Sequence, residues 1–391
     1  MYKIEVTNLN NIKTFHFHGP IDSNVTDEIT KFLDSNYKSE DNVVFDMQDV
    51  SYTSSAGLRV ILKLAKSVRS FEVINANIDL YNIFEMVGFT QMIKISKAKR
   101  LISIEGKELI GEGYMGKVYR LDPDTIIKVF KRNADLSDVE REISLAKKAF
   151  VLGVPTAIPF DIVNVKEGGY GSVFELLKSS SFNKLFINNP EKEDEYIKMY
   201  IDIIKTITSI TASEKDNFPH KKDNAYEWVK YLKEAKAYDE ITINKLEKLV
   251  DTIPESMGLI HGDCHIKNIM MQGEEPFLID MDTLGVGHPI FELTALFLTY
   301  IGYPDKFPGN VEEFLGISDR LAKKIFNSII EELYKDRSQE ERNEIVEKCA
   351  LFGYMWLTYK TLVFEPDNLV RLNNAKEKVL SLINKYDTLN F

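Results

Sequence analysis

The sequence predicts two domains of different class, an α/β domain followed by an α+β domain with two lobes. Short strands and helices alternate through the first hundred residues, and a glycine-bearing hairpin then precedes long segments with helical apolar spacing. With 391 residues and 44% apolar content, the chain is long enough to bury two separate cores. The basic segment 94–100 (KISKAKR) marks the boundary, so we expect domains over 1–97 and 101–391.

The first domain alternates strand-like and helix-like segments in an order typical of parallel sheets with crossover helices. We expect strands at 13–18, 43–47 and 71–74, and helices at 25–33 and 56–68. The opening residues, MYKIEVTNLNN, are polar and strand-like, so they predict neither a signal peptide nor a membrane span.

Motifs on both sides of the second helix carry a family resemblance. The segment 44–58 reads VFDMQDVSYTSSAGL, the segment 19–22 reads GPID, and the segment 83–89 reads IFEMVGF. These residues resemble the STAS domain, the fold of anti-sigma-factor antagonists, which carries D-x-x-x-V and then D/S-S-x-G-L at a helix start. The resemblance implies a regulatory domain that binds a protein partner or self-associates.

The STAS resemblance implies that Ser55 is a phosphorylation site, because it occupies the position of that family's regulatory serine. A helix N-terminus offers unpaired N–H groups and a favourable dipole to a phosphate. Ser54 or Ser55 could instead simply cap the helix, and capping alone is the preferred interpretation. Ser54 also replaces the aspartate that usually precedes the serine in the family.

The second domain begins with a hairpin that carries candidate phosphate-binding glycines. Gly111, Gly113 and Gly116 fit G-x-G-x-x-G-x-V, in which glycines let the backbone approach phosphates closely. A Rossmann fold uses similar glycines but continues directly into a helix. Here 117–121 and 126–130 read as two strands, which favours a kinase-type hairpin.

A lysine in the second strand of the hairpin has a candidate partner on the next helix. Lys128 stands among apolar strand residues, as does the lysine of kinases that contacts the nucleotide phosphates. Residues 138–150 have helical apolar spacing, and Glu142 is the expected partner, with Glu140 as the alternative.

The hinge between the two lobes is expected at VFELL, residues 173–177. The lobes would then cover 101–175 and 176–391. Backbone groups of Glu175 and Leu177 would meet the nucleotide base.

Helices dominate the second lobe. Three aromatic residues there have helical spacing and either pack in the core or contact the acceptor: Trp228, Tyr231 and Tyr238. The apolar segments 291–303 and 350–363 are shorter than the roughly twenty residues that span a bilayer, so they predict buried helices. Earlier helices are expected at 193–212, 225–238 and 244–253.

The most informative motif is HGDCHIKN, residues 261–268, followed by Asp280 in FLIDMD. Kinase-fold enzymes place a catalytic Asp five residues before an Asn, and a metal-binding Asp on the next strand. Asp263 is therefore expected to orient and deprotonate the acceptor hydroxyl. Asn268 and Asp280 offer the oxygen ligands that Mg²⁺ prefers, and ATP or GTP would be the phosphoryl donor.

This loop resembles the aminoglycoside phosphotransferase and choline kinase family, which carries H-G-D-x-H-x-x-N and then I-D-x-x. Protein kinases instead have arginine and lysine where this chain has Gly262 and His265. The family's tail, G-D-P-x-x-D-L-A, departs at His288 and Glu292, which both replace aspartate. The resemblance covers residues 101 to about 385 and implies a kinase whose acceptor is an alcohol of the aminoglycoside, amino alcohol or sugar class.

Two other functions remain open on the sequence. The kinase domain could phosphorylate a STAS serine, either Ser55 in cis or one on a partner, and an intact-mass measurement would detect this. The protein could also be a nucleotide-binding scaffold, although Lys128, Asp263, Asn268 and Asp280 are all present.

Charge and cysteine content limit the partners. Residues 1–100 carry 12 basic and 12 acidic side chains, so the net charge of −11 resides in the remainder. An acidic kinase domain disfavours nucleic acid and would suit a cationic acceptor. Cys264 and Cys349 predict no disulfide framework, and we expect a cytoplasmic protein without a membrane partner.

Overall fold

The computed structural model describes residues 2–113, 115–131, 134–178 and 180–391. The chain forms two compact units, Met1–Ile102 and Ser103–Phe391. The predicted fold class is confirmed, since an α/β unit precedes a unit with an antiparallel sheet and a large helical part.

The first unit contains a five-stranded sheet in the order β1-β2-β3-β4-β5. The first two strands pair antiparallel, and the other neighbours pair parallel through the crossover helices. Alternate strand side chains, among them Phe15, Phe45 and Val73, build the buried core. The elements are β1 (Lys3–Leu9), β2 (Ile12–His18), α1 (Thr26–Asp34), β3 (Asn42–Asp49), α2 (Ser55–Ala65), β4 (Ser70–Ala76), α3 (Ile78–Met86) and β5 (Lys94–Lys97), and the short β6 (Leu101–Ile102) follows.

The second unit begins with strands that pair antiparallel in the order β10-β11-β9-β8-β7. Lys128 lies in the middle of this sheet, opposite Val118 on one side and Ser172 on the other. The helix α4 packs against β10 and β11. These elements are β7 (Leu109–Glu112), β8 (Gly116–Arg120), β9 (Thr125–Phe130), α4 (Leu136–Val151), β10 (Pro159–Val165) and β11 (Tyr170–Glu175).

Helices and two small sheets, one of three strands and one of two, make up the rest of the second unit. The helices are α5 (Phe182–Asn188), α6 (Glu193–Ser209), α7 (Lys221–Glu234), α8 (Glu240–Asp251), α9 (Ile290–Phe297), α10 (Asn310–Leu315), α11 (Asp319–Leu333), α12 (Gln339–Phe364) and α13 (Leu369–Leu382). The strands are β12 (Ser180–Ser181), β13 (Leu259–Ile260), β14 (Ile269–Gln272), β15 (Glu275–Leu278) and β16 (Gly285–Val286). In the described part of the chain, no helix is both long and apolar enough to cross a bilayer.

In three helices, α6, α7 and α8, the predicted boundaries were wrong by a few residues. Both α7 and α8 begin four residues earlier than expected, and α8 starts there because the side chain of Asp239 caps the backbone N–H of Thr242. Because α7 ends at Glu234, Tyr238 lies in the following connection and not on the helix. The helix α6 ends at Ser209, since Ile210 is already extended.

Candidate active site

A buried ion-pair cluster joins the sheet, α4 and the loop after β15. Lys128 Nζ lies 2.9 Å from Glu142 Oε1 and 2.7 Å from Asp280 Oδ1. Burial would lower the pKa of Lys128, but the charges of Asp280 and Glu142 outweigh it and raise that pKa above its ordinary value. The alternative partner, Glu140, is exposed, because residues two apart on a helix face different directions.

The glycine hairpin combines one tightly packed glycine with two open ones. A Cβ at Gly116 would lie only 2.0 Å from the carbonyl oxygen of Val129, so close strand packing requires glycine there. A Cβ at Gly113 would meet no atom within 4 Å, and one at Gly111 would meet only Val118. Tyr114, between these glycines, lies outside the described residues.

The segment expected to be the hinge, residues 173–177, contains the last residues of β11 and the two that follow it. The backbone N–H of Glu175 donates to the carbonyl of Ile158 at 2.9 Å, so this N–H is already used within the sheet region. The next backbone N–H, of Leu176, donates to Asp124 at 2.8 Å. Leu177 is buried. The assignment of Glu175 and Leu177 to the hinge stays a prediction.

Asp263 and Asn268 are locked together in the loop between β13 and β14. The side-chain amide of Asn268 donates to the main-chain oxygen of Asp263 at 3.0 Å and to its Oδ2 at 3.1 Å. These two bonds engage the amide nitrogen and direct Oδ1 of Asn268 away from Asp263. This loop, called the catalytic loop after its predicted role, thus holds Asp263 and Asn268 together and leaves the amide oxygen of Asn268 turned away from the carboxylate.

The surroundings of Asp263 shift the pKa of its carboxyl group. Burial, together with the nearby charge of Asp280, raises the pKa of Asp263 to about 7. The side chain is nevertheless 41% exposed, so protein surrounds the carboxylate while one side stays open to solvent. A carboxyl with a pKa near neutrality can accept a proton from an acceptor hydroxyl.

Asp280 and Asn268 offer a donor set that fits Mg²⁺ arriving with phosphates. Asp280 has a φ of +66°, a backbone conformation that is uncommon outside glycine and clusters at functional sites. Mg²⁺ is usually held by one or two protein oxygens together with phosphates and water. Among the described residues, no group of three His, Cys, Asp or Glu side chains could hold a metal ion alone. The residues present suit a metal–nucleotide complex better than a resident metal.

Two buried tyrosines hold the underside of the catalytic loop. The hydroxyl of Tyr200 donates to the carbonyl of Cys264, and the hydroxyl of Tyr300 donates to that of Tyr200 at 3.1 Å. The backbone N–H of Ile266 in turn donates to Tyr300 at 3.2 Å. Sequence reasoning missed both tyrosines, although a tyrosine inside the apolar segment 291–303 is a polar group that needs a partner when buried.

Glu292 and Thr283 tie the catalytic loop to the segments that follow it. Glu292 is 2% exposed, and its Oε2 accepts from the backbone N–H of Gly262 at 3.0 Å. The hydroxyl of Thr283 donates to the carbonyl of His261 at 2.6 Å. Glu292 replaces the family's aspartate, and the sequence alone gave it no role in the site.

Lys221 was also missed, and its side chain runs beneath the catalytic loop. Its Nζ donates to the carbonyl of Thr283. A Cβ at Gly262 would lie 2.9 Å from Nζ of Lys221, one at Gly285 would lie 3.0 Å from its Cε, and one at Gly287 would lie 3.2 Å from its Cβ. Glycine at these three positions thus leaves the space that the side chain of Lys221 occupies beneath the loop. Burial lowers the pKa of Lys221 to about 8, against the opposing charges of nearby carboxylates.

The three aromatic residues noted in the sequence all contact α12. Trp228 stacks on Trp356 with ring centroids 4.8 Å apart and an interplanar angle of 9°. Tyr231 meets a tyrosine of α12 edge-on at 5.3 Å, and the hydroxyl of Tyr238 lies 2.8 Å from a threonine hydroxyl of that helix. Their contacts are those of interhelical packing.

At the start of α2 in the first unit, the two serines differ. Ser54 is the N-cap, and its Oγ accepts from the backbone N–H of Gly57 at 3.3 Å. Ser55 is the first helical residue and is exposed. A Cβ at Gly57 would lie 2.4 Å from Oγ1 of Thr53, so this helix start packs closely on the preceding segment.

A glycine hairpin, a lysine–glutamate pair and an Asp–Asn catalytic loop in one unit define a kinase-type phosphotransferase. Residues 108–321, more than half of the chain, match the model of the phosphotransferase enzyme family, APH, and residues 3–100 match the STAS domain. The chain belongs to the phosphotransferase enzyme family and carries a STAS domain before the kinase domain. Both resemblances drawn from the sequence are confirmed, and the protein is an enzyme with an alcohol group as acceptor.

The solved structures that match this chain include two aminoglycoside phosphotransferases. A thermostable mutant of APH(4)-Ia, in a ternary complex with ADP and hygromycin B, is 11% identical, with 71% of this chain and 93% of that chain covered and a TM-score of 0.50. ADP-bound APH(2'')-Ib is 14% identical, with 77% and 98% covered and a TM-score of 0.48. An anti-sigma factor antagonist from Mycobacterium paratuberculosis is 13% identical, with 25% and 86% covered and a TM-score of 0.24. A comparison with curated proteins found no match.

Proposed function

We propose that the protein transfers the terminal phosphoryl group of Mg²⁺-bound ATP or GTP to a hydroxyl group of a small molecule. One observation carries the proposal: Lys128 contacts both Glu142 and Asp280, while Asp263 is bound to Asn268 in the adjacent loop. These contacts support a site in which Lys128 would meet the phosphates, Asn268 and Asp280 would offer oxygen donors to Mg²⁺, and Asp263 would meet the acceptor.

In this proposal, Asp263 orients the acceptor hydroxyl and takes its proton. The acceptor oxygen forms a bond to the terminal phosphorus, the bond to the bridging oxygen breaks, and the nucleoside diphosphate leaves with that electron pair. Lys128, held by Glu142, contacts the phosphates. Asn268 and Asp280 would hold Mg²⁺, which neutralises phosphate charge when bound.

The nucleotide would lie between the sheet and the helical part. Gly111, Gly113 and Gly116 cover its phosphates in this proposal, and backbone groups of Glu175 and Leu177 meet its base. The acceptor would come from the aminoglycoside, amino alcohol or sugar class, and the STAS domain would bind a partner, self-associate or regulate the kinase.

The test is Mg²⁺-dependent nucleotide consumption by the full chain, with ATP and GTP, against amino sugars, amino alcohols and sugars. We expect Asp263→Asn to lower kcat by roughly 10²–10⁴-fold and to leave nucleotide binding intact, because the carboxylate acts on the acceptor. Asp336→Asn, which changes an exposed aspartate, is the matched control. Normal turnover by the Asp263 variant would contradict the assigned chemistry.

A second candidate function is phosphorylation of Ser55, in cis or on a second copy. One observation favours it. Ser54 is the residue that caps α2, so the exposed hydroxyl of Ser55 is not needed as the cap. Intact-mass analysis after incubation with Mg-ATP tests it. A single added phosphate that is absent in Ser55→Ala and present in Ser54→Ala supports this function, and a phosphate that persists in Ser55→Ala contradicts it.

A further inference from the structure

The first strand of the chain, β1, is an edge of the five-stranded sheet. The sheet runs in the order β1-β2-β3-β4-β5, so in the part of the chain that the structure describes no strand lies on the outer side of β1. Six of its seven residues are exposed, and Ile4 is partly buried. Such a strand presents unpaired N–H and C=O groups that can pair with a strand of another chain.

The two edges of the sheet differ in how they discourage such pairing. At the other edge, β5 has only four residues and carries a lysine at each end, Lys94 and Lys97. Short length and lysines both protect an edge. In contrast, β1 has seven residues and no proline, and it pairs with β2 without a register shift, so no bulge bends it away. The edge suited to a further strand is therefore β1.

The turn between β1 and β2 determines which main-chain groups of β1 face outward. Asn10 and Asn11 have φ of +51° and +63°, as in a two-residue type I′ turn, and Leu9 and Ile12 close the hairpin. The closing residues bond to each other through the main chain, and bonded and non-bonded pairs alternate along the ladder. The residues whose main-chain groups face the open edge are therefore Ile4, Val6 and Asn8.

We propose that β1 pairs antiparallel with β1 of a second copy of this protein, with the twofold axis at Ile4. In this register Lys3 lies opposite Glu5 of the second copy, and the two Ile4 residues lie opposite each other. Val6, which is 37% exposed, lies opposite Tyr2, so the apolar face of the sheet continues across the junction. The inference concerns the first unit and does not depend on the proposed kinase activity.

The charges of β1 select this register. Lys3 and Glu5 project from the same face of the strand and form an exposed ion pair within it. With the axis at Ile4, two such pairs make a square of alternating charge, and opposite charges that face each other across strands stabilise a sheet. An axis at Glu5 would place two glutamates opposite each other. An axis at Val6 would place Glu5 opposite Thr7 and leave its charge without an opposite partner.

The neighbouring charges on β2 already have their own contacts. His18 and His16 lie opposite Lys3 and Glu5 in the ladder. Each histidine has its Nδ1 within hydrogen-bond distance of an aspartate of β3: His16 of Asp46 at 3.0 Å and His18 of Asp49 at 2.8 Å. Lys3 and Glu5 are thus the charged side chains of β1 that would meet a second copy.

Sedimentation equilibrium of the full chain over a range of concentrations tests the pairing. A single paired strand makes a small interface, so we expect a concentration-dependent dimer of the weak class. Lys3→Glu and Glu5→Lys should each raise the Kd of this dimer at least about tenfold, because the twofold axis puts two like-charge pairs into each dimer. Glu85→Lys, which reverses an exposed glutamate on α3, is the control and should leave the Kd unchanged.

Exchanging the two charges distinguishes this register from a general effect of charge. The variant that combines Lys3→Glu with Glu5→Lys should recover the wild-type Kd to within about threefold, because the opposite charges still face each other. An equimolar mixture of the two single variants should form a heterodimer for the same reason. A chain that stays monomeric at every concentration overturns the proposal. A dimer that neither single variant weakens, or a combined variant as weak as the single ones, also overturns it.

Discussion

Two places in this chain are proposed to meet a phosphate, and they are built differently. In the kinase unit, Lys128 and Glu142 are a buried ion pair whose side chains are only 15% and 4% exposed. At the start of α2, the polar groups are a capping Ser54 and an exposed Ser55. Buried charges are expensive to maintain, whereas a capping serine improves helix stability. The kinase site therefore calls for a functional explanation, while the helix start is explained by local structure alone.

The largest expected effect comes from breaking the buried cluster. Lys128→Met removes the cation that contacts Glu142 and Asp280. We expect kcat/KM for the nucleotide to fall by at least about a hundredfold, because the phosphates lose a positioned charge in a low-dielectric site. Steady-state kinetics with varied nucleotide measures this. Stability should fall as well, since Glu142 is left buried without its partner.

The control for this prediction is Lys117→Met on the neighbouring strand β8. Lys117 is 50% exposed and lies 3.5 Å from the exposed Glu112, a surface pair that contributes little. Equal kinetic losses in the two variants would remove the distinction between the buried cluster and an ordinary surface pair.

A smaller kinetic effect is expected when Lys221 is replaced. This variant tests whether the site also depends on the lysine side chain beneath the catalytic loop. Lys221→Met removes the bond to the carbonyl of Thr283, so the segments that carry Asp263 and Asp280 lose a shared support. We expect kcat to fall about tenfold with little change in the nucleotide KM, as for a misplaced catalytic group.

Lys222→Met provides a matched control for Lys221→Met. Its Nζ donates to the carbonyl of Ile253 at 2.7 Å, so this variant also loses a bond from a lysine to a main-chain oxygen. Both variants should lose stability, and only Lys221→Met should change kcat. An unchanged kcat in Lys221→Met would show that this lysine contributes to stability only and does not position the catalytic groups.

Local spacing was enough to single out residues that the structure brings into contact. Asp263 and Asn268, five residues apart in one loop, are hydrogen-bonded, and Lys128 and Glu142, on a strand and the next helix, form an ion pair. Their roles in catalysis stay predictions. The strands and helices were predictable for the same reason, because the spacing of their apolar residues indicates which face is buried.

The parts that could not be predicted depend on contacts between distant segments. Lys221 reaches Thr283, 62 residues away, and Tyr200 reaches the hydroxyl of Tyr300 across 100 residues. No local spacing encodes such pairs, and a lysine at a helix start ordinarily reads as a solvated charge. The glycines at 262 and 287 stand in the motifs and the one at 285 lies between them, while the three together leave room for one side chain.

A moderate effect on stability is expected at His288, where the chain departs from the family's tail. The ring lies 4.9 Å from that of Phe391, and burial lowers the pKa of His288 from 6.5 to about 4. As the pH falls below 6.5, His288 binds a proton in the unfolded chain, whereas in the folded protein it binds one only near pH 4. The free energy of unfolding should therefore drop between about pH 7 and pH 5, with about 1–2 kcal/mol arising from this residue.

Chemical denaturation of the wild type and His288→Gln across this pH range isolates the contribution. The variant should lose that part of the pH dependence and keep its activity at neutral pH, because His288 contacts none of the proposed catalytic groups. His261 and His265, whose pKa values burial also lowers, titrate in both proteins and cancel in the difference. If the free energies of unfolding of the two proteins changed in parallel with pH, the pKa of His288 would be the same in the folded and unfolded states, which would contradict the prediction.

The smallest effect concerns the helix start of the first unit and separates its two serines. Ser54→Ala removes the oxygen that accepts from the backbone N–H of Gly57, and we expect α2 to lose about 1 kcal/mol of local stability. Ser55→Ala should change it by less than about 0.5 kcal/mol, because an exposed first-turn residue has no such bond. Hydrogen exchange of the α2 amides in the full chain measures this local stability. If Ser55→Ala increased exchange as much as Ser54→Ala did, both serines would belong to the cap, and the exposed hydroxyl would no longer be free of a structural role.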